Sequence, residues 1–153
     1  FPTRRSSDLQ SLSHGEGGGP KDGPLSTHPD DRRRLIAEPD LMPTAIEEFL
    51  RAYAPVTMAR MVAKDHDFHG CPMKKDDWVL LAFPAANRDP LKFEDPDTFV
   101  IDREENRHAA FGLGIHRCLG SNLARLELKI AIEEFVKRFL AELDDAETLA
   151  LRA

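Results

Sequence analysis

The sequence predicts a mainly α-helical fold with a small β-sheet, on three patterns. After Cys118, the residues Leu119, Leu123, Leu126, Ile130, Phe135 and Phe139 fall on or near one face at helical spacing, with Glu127, Lys129, Glu133, Glu134 and Lys137 largely outside it. Two shorter segments each open on a proline and stop at another: one from Pro29 closes before Pro39, and one from Pro43 runs to about Tyr53 and ends at Pro55. Two runs, 56–62 and 78–83, are strand-sized.

The 153 residues suffice for one domain with a core, and 41% hydrophobic with 31% charged residues is ordinary for a soluble chain. The net charge of −6 gives no reason to expect a nucleic-acid partner, and no apolar run approaches a membrane span. Cys71 and Cys118 do not make a disulfide framework; free thiols suit a reducing cytoplasm.

Taken in order, residues 1–9 look like one reading frame of a common sequencing-adapter oligonucleotide and are set apart from the fold. Residues 10–27 are glycine- and proline-rich with no hydrophobic period, and read as a flexible or miscalled linker. Pro29, Asp30 and Asp31 open the first helix, which carries Leu35 and Ile36; its Arg32-Arg33-Arg34 run is expected to form a solvated face. The second helix carries Glu48 and Arg51, three apart and so neighbours on one face, a pairing that alone is weak evidence of anything. A polar stretch joins the two strands. Within it Asp65, His66, Asp67, His69 and Cys71 crowd a hairpin turn and offer a possible zinc-binding module at 65–71. A long irregular connection, unusual for a small domain, then leads through Arg103 to Phe111.

The most telling stretch is Phe111-Gly112-Leu113-Gly114-Ile115-His116-Arg117-Cys118-Leu119-Gly120. A lone cysteine sits on a glycine-rich loop with a helix starting at or just after it, and a helix N-terminus favours thiolate over thiol. Gly112, Gly114 and Gly120 remove side chains where backbone could lie against a flat ligand, Phe111 can pack on it, and His116 and Arg117 offer donors to an anionic edge. These ten residues resemble the haem-binding signature of the cytochrome P-450 family. The Glu48-x-x-Arg51 pair, the Pro55–Arg60 segment after it, and Arg103 eight residues before Phe111 stand in that family's order.

The resemblance implies a C-terminal, proximal haem-side fragment of the cytochrome P-450 fold over residues 28–140, with 141–153 a truncated tail. It implies a haem-dependent, soluble bacterial-type monooxygenase as the parent enzyme, located in the cytoplasm and acting on a small organic substrate. The cofactor would be haem b (iron protoporphyrin IX), with Cys118 the axial thiolate and metal ligand. Phe111, Gly112, Gly114 and Gly120 would frame the ring, and Arg60 and His116 would bond its propionates. Glu48, Arg51 and Arg103 would form a structural triad, and Val56, Thr57 and Met58 would line the substrate pocket. A ferredoxin or flavodoxin-type electron donor, with its reductase, would dock near Arg117. Family chains are much longer, and no helix here has the family's acid–alcohol pair. The chain alone is therefore expected to lack turnover and to hold no catalytic residue beyond Cys118. A non-catalytic haem-binding module and the zinc module are the alternatives.

Overall fold

The computed structural model describes residues 28–140. The expected foreign segment 1–9, linker 10–27 and tail 141–153 lie outside the described residues, as does the side chain of Phe139.

Helix α1 spans Pro29–Ala37. Proline costs little at its first turn, where an N–H would have no helical partner, and Asp30 and Asp31 complement the positive helix end. Arg32 departs from expectation: it is buried rather than solvated, because it lies three residues from buried Leu35 and shares that inward face. Arg33 does face water, paired with Asp30 at 2.7 Å, and Arg34 reaches across to Asp102 at 2.9 Å.

A 3₁₀ turn, Pro39–Leu41, leads into α2, Met42–Tyr53. Its buried residues are Met42, Ala45, Ile46, Glu48 and Arg51, so two ionised groups share the core-facing side with aliphatics. Pro55 prevents the helix from continuing, and its last carbonyls find distant partners. Asn87 Nδ2 donates to Arg51 O at 3.1 Å, and Arg88 Nη2 donates to Ala52 O at 2.7 Å.

The chain then makes one long excursion of nested hairpins. Strand β1 (Met58–Met61) pairs antiparallel with β4 (Trp78–Leu81), Met58 opposite Leu81 and Met61 opposite Trp78. Between them β2 (His66–Phe68) pairs with β3 (Cys71–Met73). The expected single sheet is thus two separate ladders, both largely exposed, and both expected strands are shorter than read. The second stops at Leu81 because Pro84 lacks a ladder donor and Phe83–Ala86 turns into a short helix, α3.

Residues 87–113 form a meander held by side chains rather than by a regular ladder. After it come a 3₁₀ turn, Gly114–His116, the helix α4, Ser121–Phe135, and a π turn over Val136–Leu140. The core lies where α1, α2, the meander and α4 meet, and comprises Leu35, Met42, Ala45, Ile46, Ile101, Ile132 and Val136. The inner face of α4 is therefore Ser121, Leu128 and Ile132, continued by Val136. The apolar series read from the sequence lies elsewhere: Leu119, Leu123, Leu126, Ile130 and Phe135 are all exposed.

Candidate functional site

The centre of the site is built on α2. Glu48 is fully buried and Arg51 is 1% exposed. Glu48 Oε1 and Oε2 accept from Arg51 Nη2 and Nε, both at 2.7 Å, a bidentate pair. Three further donors saturate the carboxylate: Val100 N at 2.9 Å, Asn106 Nδ2 at 3.0 Å and Arg103 Nε at 3.1 Å. Arg51 spends its remaining N–H groups on the carbonyls of Asn87, Pro96 and Thr98. Arg103 ties down Glu94, Asp95 and Thr98 in the same way. Glu48, Arg51 and Arg103 therefore meet, and the meander is wrapped around them. Burial alone would raise the Glu48 carboxyl. The bonds from Arg51 and the Val100 N–H, with the charges of Arg51 and Arg103, outweigh it and hold the group below its ordinary value.

The cysteine loop stands at the end of this meander. Gly112 (φ +70°) and Gly114 (φ +71°) adopt left-handed backbone that a side chain would strain. Cys118 N–H donates to Phe111 O at 2.9 Å, Arg117 N–H donates to Gly114 O at 3.1 Å, and α4 begins three residues later at Ser121. The Cys118 thiol is exposed. Gly120 has ordinary backbone (φ −78°); a methyl there would lie 3.8 Å from Cys118 Sγ, so its bareness keeps the thiol's flank open. Leu113, Ile115 and Leu119 surround the thiol in sequence and are all exposed, leaving an apolar rim.

Beside the loop is a cavity of about 520 Å³ whose lining includes Met58, Phe83, Gly112, Leu113, Arg60 and His116. Arg60 and His116 thus border one cavity with apolar walls, Met58 joins them there, and Val56 and Thr57 are exposed just before β1. Cys71 lies on β3, remote from the glycine loop in sequence. The possible zinc cluster does not assemble: among the described residues no group of three or more His, Cys, Asp or Glu could hold a metal ion. Asp65 is instead engaged by Lys74 Nζ and Lys75 N, each at 2.8 Å.

A family model for cytochrome P-450 matches residues 30–151. The chain belongs to the cytochrome P-450 family. It is 46% identical over 125 residues to the steroid C26-monooxygenase of Mycolicibacterium smegmatis, covering 80% of this chain and 31% of that protein. The biotin biosynthesis cytochrome P-450 of Bacillus subtilis is 46% identical over 115 residues, 74% of this chain and 29% of its own length. Among solved structures, a cytochrome P-450 from Bacillus megaterium in complex with testosterone superposes with a TM-score of 0.71 at 42% identity, covering 75% of this chain and 32% of that one. The chain thus spans less than a third of the length of these relatives. Membership implies a haem cofactor, and the loop fits one: an outward thiol, bare glycines beside it, an apolar rim, and two cationic or donor side chains at the edge of a cavity.

This cytochrome P-450 chain holds a second cluster that no motif or spacing announces. Glu47, next to Glu48 but turned to another side of α2, accepts from Arg125 Nε and Nη2 at 2.5 and 2.8 Å and lies 2.9 Å from His108 Nε2. Asn87, Arg88 and Asn106 also tie the meander to α2, and no local spacing marks them. Burial pushes the Glu47 carboxyl up, but the bonds from Arg125 and His108 bring it down to about 2, against an ordinary value of 4.5. A carboxyl depressed on folding stabilises the fold above its ordinary value, and the contribution is lost as pH falls through its folded one. The melting temperature of Glu47→Gln should therefore fall below that of the wild type above about pH 4.5, the two curves converging towards about pH 2. A gap independent of pH would contradict this.

Proposed function

We propose that the protein containing this chain is a haem-thiolate monooxygenase of the soluble bacterial type, with Cys118 as the axial ligand. The observation that supports this best is the exposed Cys118 thiol on a left-handed glycine loop, directly before α4, in a chain of this family. Its cofactor is haem b (iron protoporphyrin IX), which when bound supplies the activation of dioxygen and transfer of one oxygen atom to a small organic substrate, with thiolate donation favouring O–O cleavage.

The chain's own residues bind and orient. Cys118 would hold the iron, and Phe111, Gly112, Gly114 and Gly120 would let the loop lie against the ring. Arg60 and His116, which line one cavity, would hold the propionates through charge-assisted bonds. Met58, with Val56 and Thr57, faces substrate. Arg107 and Arg117, both exposed, line a polar cavity beside the loop and suit docking of an acidic ferredoxin or flavodoxin-type donor that works with its reductase. A cytoplasmic location fits these partners; among the described residues no helix is long and apolar enough to cross a membrane.

The test is the ferrous carbonyl complex of the haem-loaded protein. It should show the red-shifted Soret band of thiolate ligation, whereas a spectrum typical of a neutral ligand would contradict the assignment. Arg60→Ala should weaken haem retention about tenfold, the loss of one hydrogen bond between charged groups. Unchanged haem off-rates in Arg60→Ala would remove Arg60 from the propionate site.

A further inference from the structure

We propose that Glu47, His108 and Arg125 form a second carboxylate-centred clamp whose task is to fix the Cys118 segment, so that all three are positioning residues for the axial ligand. The proposal rests on the reading of Cys118 as that ligand.

The Glu48 cluster cannot do this alone. Its reach along the chain ends at Asn106, five residues before Phe111 and twelve before Cys118. The Glu47 cluster takes over where it stops and grips the loop from both ends. On the near side, His108 is 3% exposed at its side chain; its Nδ1 accepts the Ala110 N–H at 3.1 Å, which leaves Nε2 as the donor to Glu47. On the far side, Arg125 comes from the second turn of α4 and forks onto both oxygens of Glu47. The same guanidinium lies over the Phe111 ring, 4.8 Å from its centre. The carbonyl of Phe111 in turn accepts the Cys118 N–H. Unbroken contact thus runs from α2 through Arg125 and Phe111 to the backbone of Cys118.

Burial separates this cluster from an ordinary surface pair. The side chains of Glu47 and Arg125 are 31% and 25% exposed, against 3% for His108, and the guanidinium is bidentate and stacked at once. A lysine could supply the charge but neither the fork nor the stacking plane.

The experiment compares wild type, Glu47→Gln and Arg125→Lys by amide hydrogen exchange in the haem-free protein and by the ferrous carbonyl spectrum in the haem-loaded protein. Exchange at Cys118 N–H should quicken about fivefold or more in both variants beyond whatever quickening the lower global stability brings to Ile46 and Leu50 in α2. In the loaded variants a larger share of the carbonyl complex should move from the thiolate band to that of a neutral ligand. Wild-type exchange at Cys118 in both variants overturns the clamp. So does quickening spread equally over α2 and α4, or failure of both variants to fold, because the three residues would then be general scaffold. If the wild type itself lacks the thiolate band, the axial-ligand reading falls instead, and the exchange result still decides whether the clamp holds the loop.

Discussion

Arg51→Ala should destabilise the protein by about 3–5 kcal/mol, the cost of leaving one member of a buried ion pair without its partner. Glu48 is fully buried, so water cannot replace the lost guanidinium; at the same time the carbonyls of Asn87 and Pro96 lose the Arg51 donor, and that of Thr98 keeps only Arg103. Against a total stability of about 5–15 kcal/mol, such a loss removes about a fifth of the margin at the least and nearly all of it at the most. Urea titration of the purified variant measures it. The paired variant Glu48→Leu/Arg51→Met decides what kind of unit this is. If the two residues were only an ion pair, an apolar replacement of both would restore stability. Because Arg51 also binds three meander carbonyls, the pair variant should recover only part of the loss. Full recovery would show that the meander does not depend on Arg51.

Cys118→Ser should abolish the red-shifted carbonyl band, and Cys71→Ser should leave it intact. Both thiols are exposed, so accessibility does not choose between them. Their surroundings do. Cys71 lies on an exposed strand next to Pro72, with Phe68 opposite across the ladder. Cys118 has bare glycine backbone beside it, α4 beginning three residues on, and the Arg60 and His116 cavity alongside the loop. A serine keeps the size of the side chain but is a far poorer iron ligand than a thiolate. The change should therefore be all-or-none in the spectrum while the folded baseline holds. Loss of the band in Cys71→Ser with retention in Cys118→Ser would move the site to the hairpin.

The glycine loop and the Glu48–Arg51 pair were legible in the sequence for a physical reason. Each is local: ten consecutive residues in one case, two positions three apart on a helix in the other. Arg103 became legible only through its family-like place in the chain. Glu47 with His108 and Arg125 did not, since they lie 61 and 78 residues apart and no periodicity connects them. The burial of Arg32 and the inner face of α4 escaped for a different reason. In α4 apolar residues occupy more than one side, and a sequence with Leu123, Leu126 and Ile130 on one side and Leu128 and Ile132 on another cannot say which meets the core. The short strands were overread because apolar composition continues through Phe83, where Pro84 ends the ladder.

Glu47 and Glu48 are consecutive, so they point about 100° apart around α2 and serve two bodies of structure from one turn. This fixes the helix in phase. Removing or inserting a single residue between Met42 and Glu47 would rotate the preceding turn by the same angle, swinging Met42, Ala45 and Ile46 off the core while both carboxylates stayed engaged. Exposed positions such as Pro43 can change their side chains freely, yet the segment has no tolerance for changes of length. Indel scanning across α2 should therefore find that substitutions at exposed positions such as Pro43 survive where single-residue insertions fail.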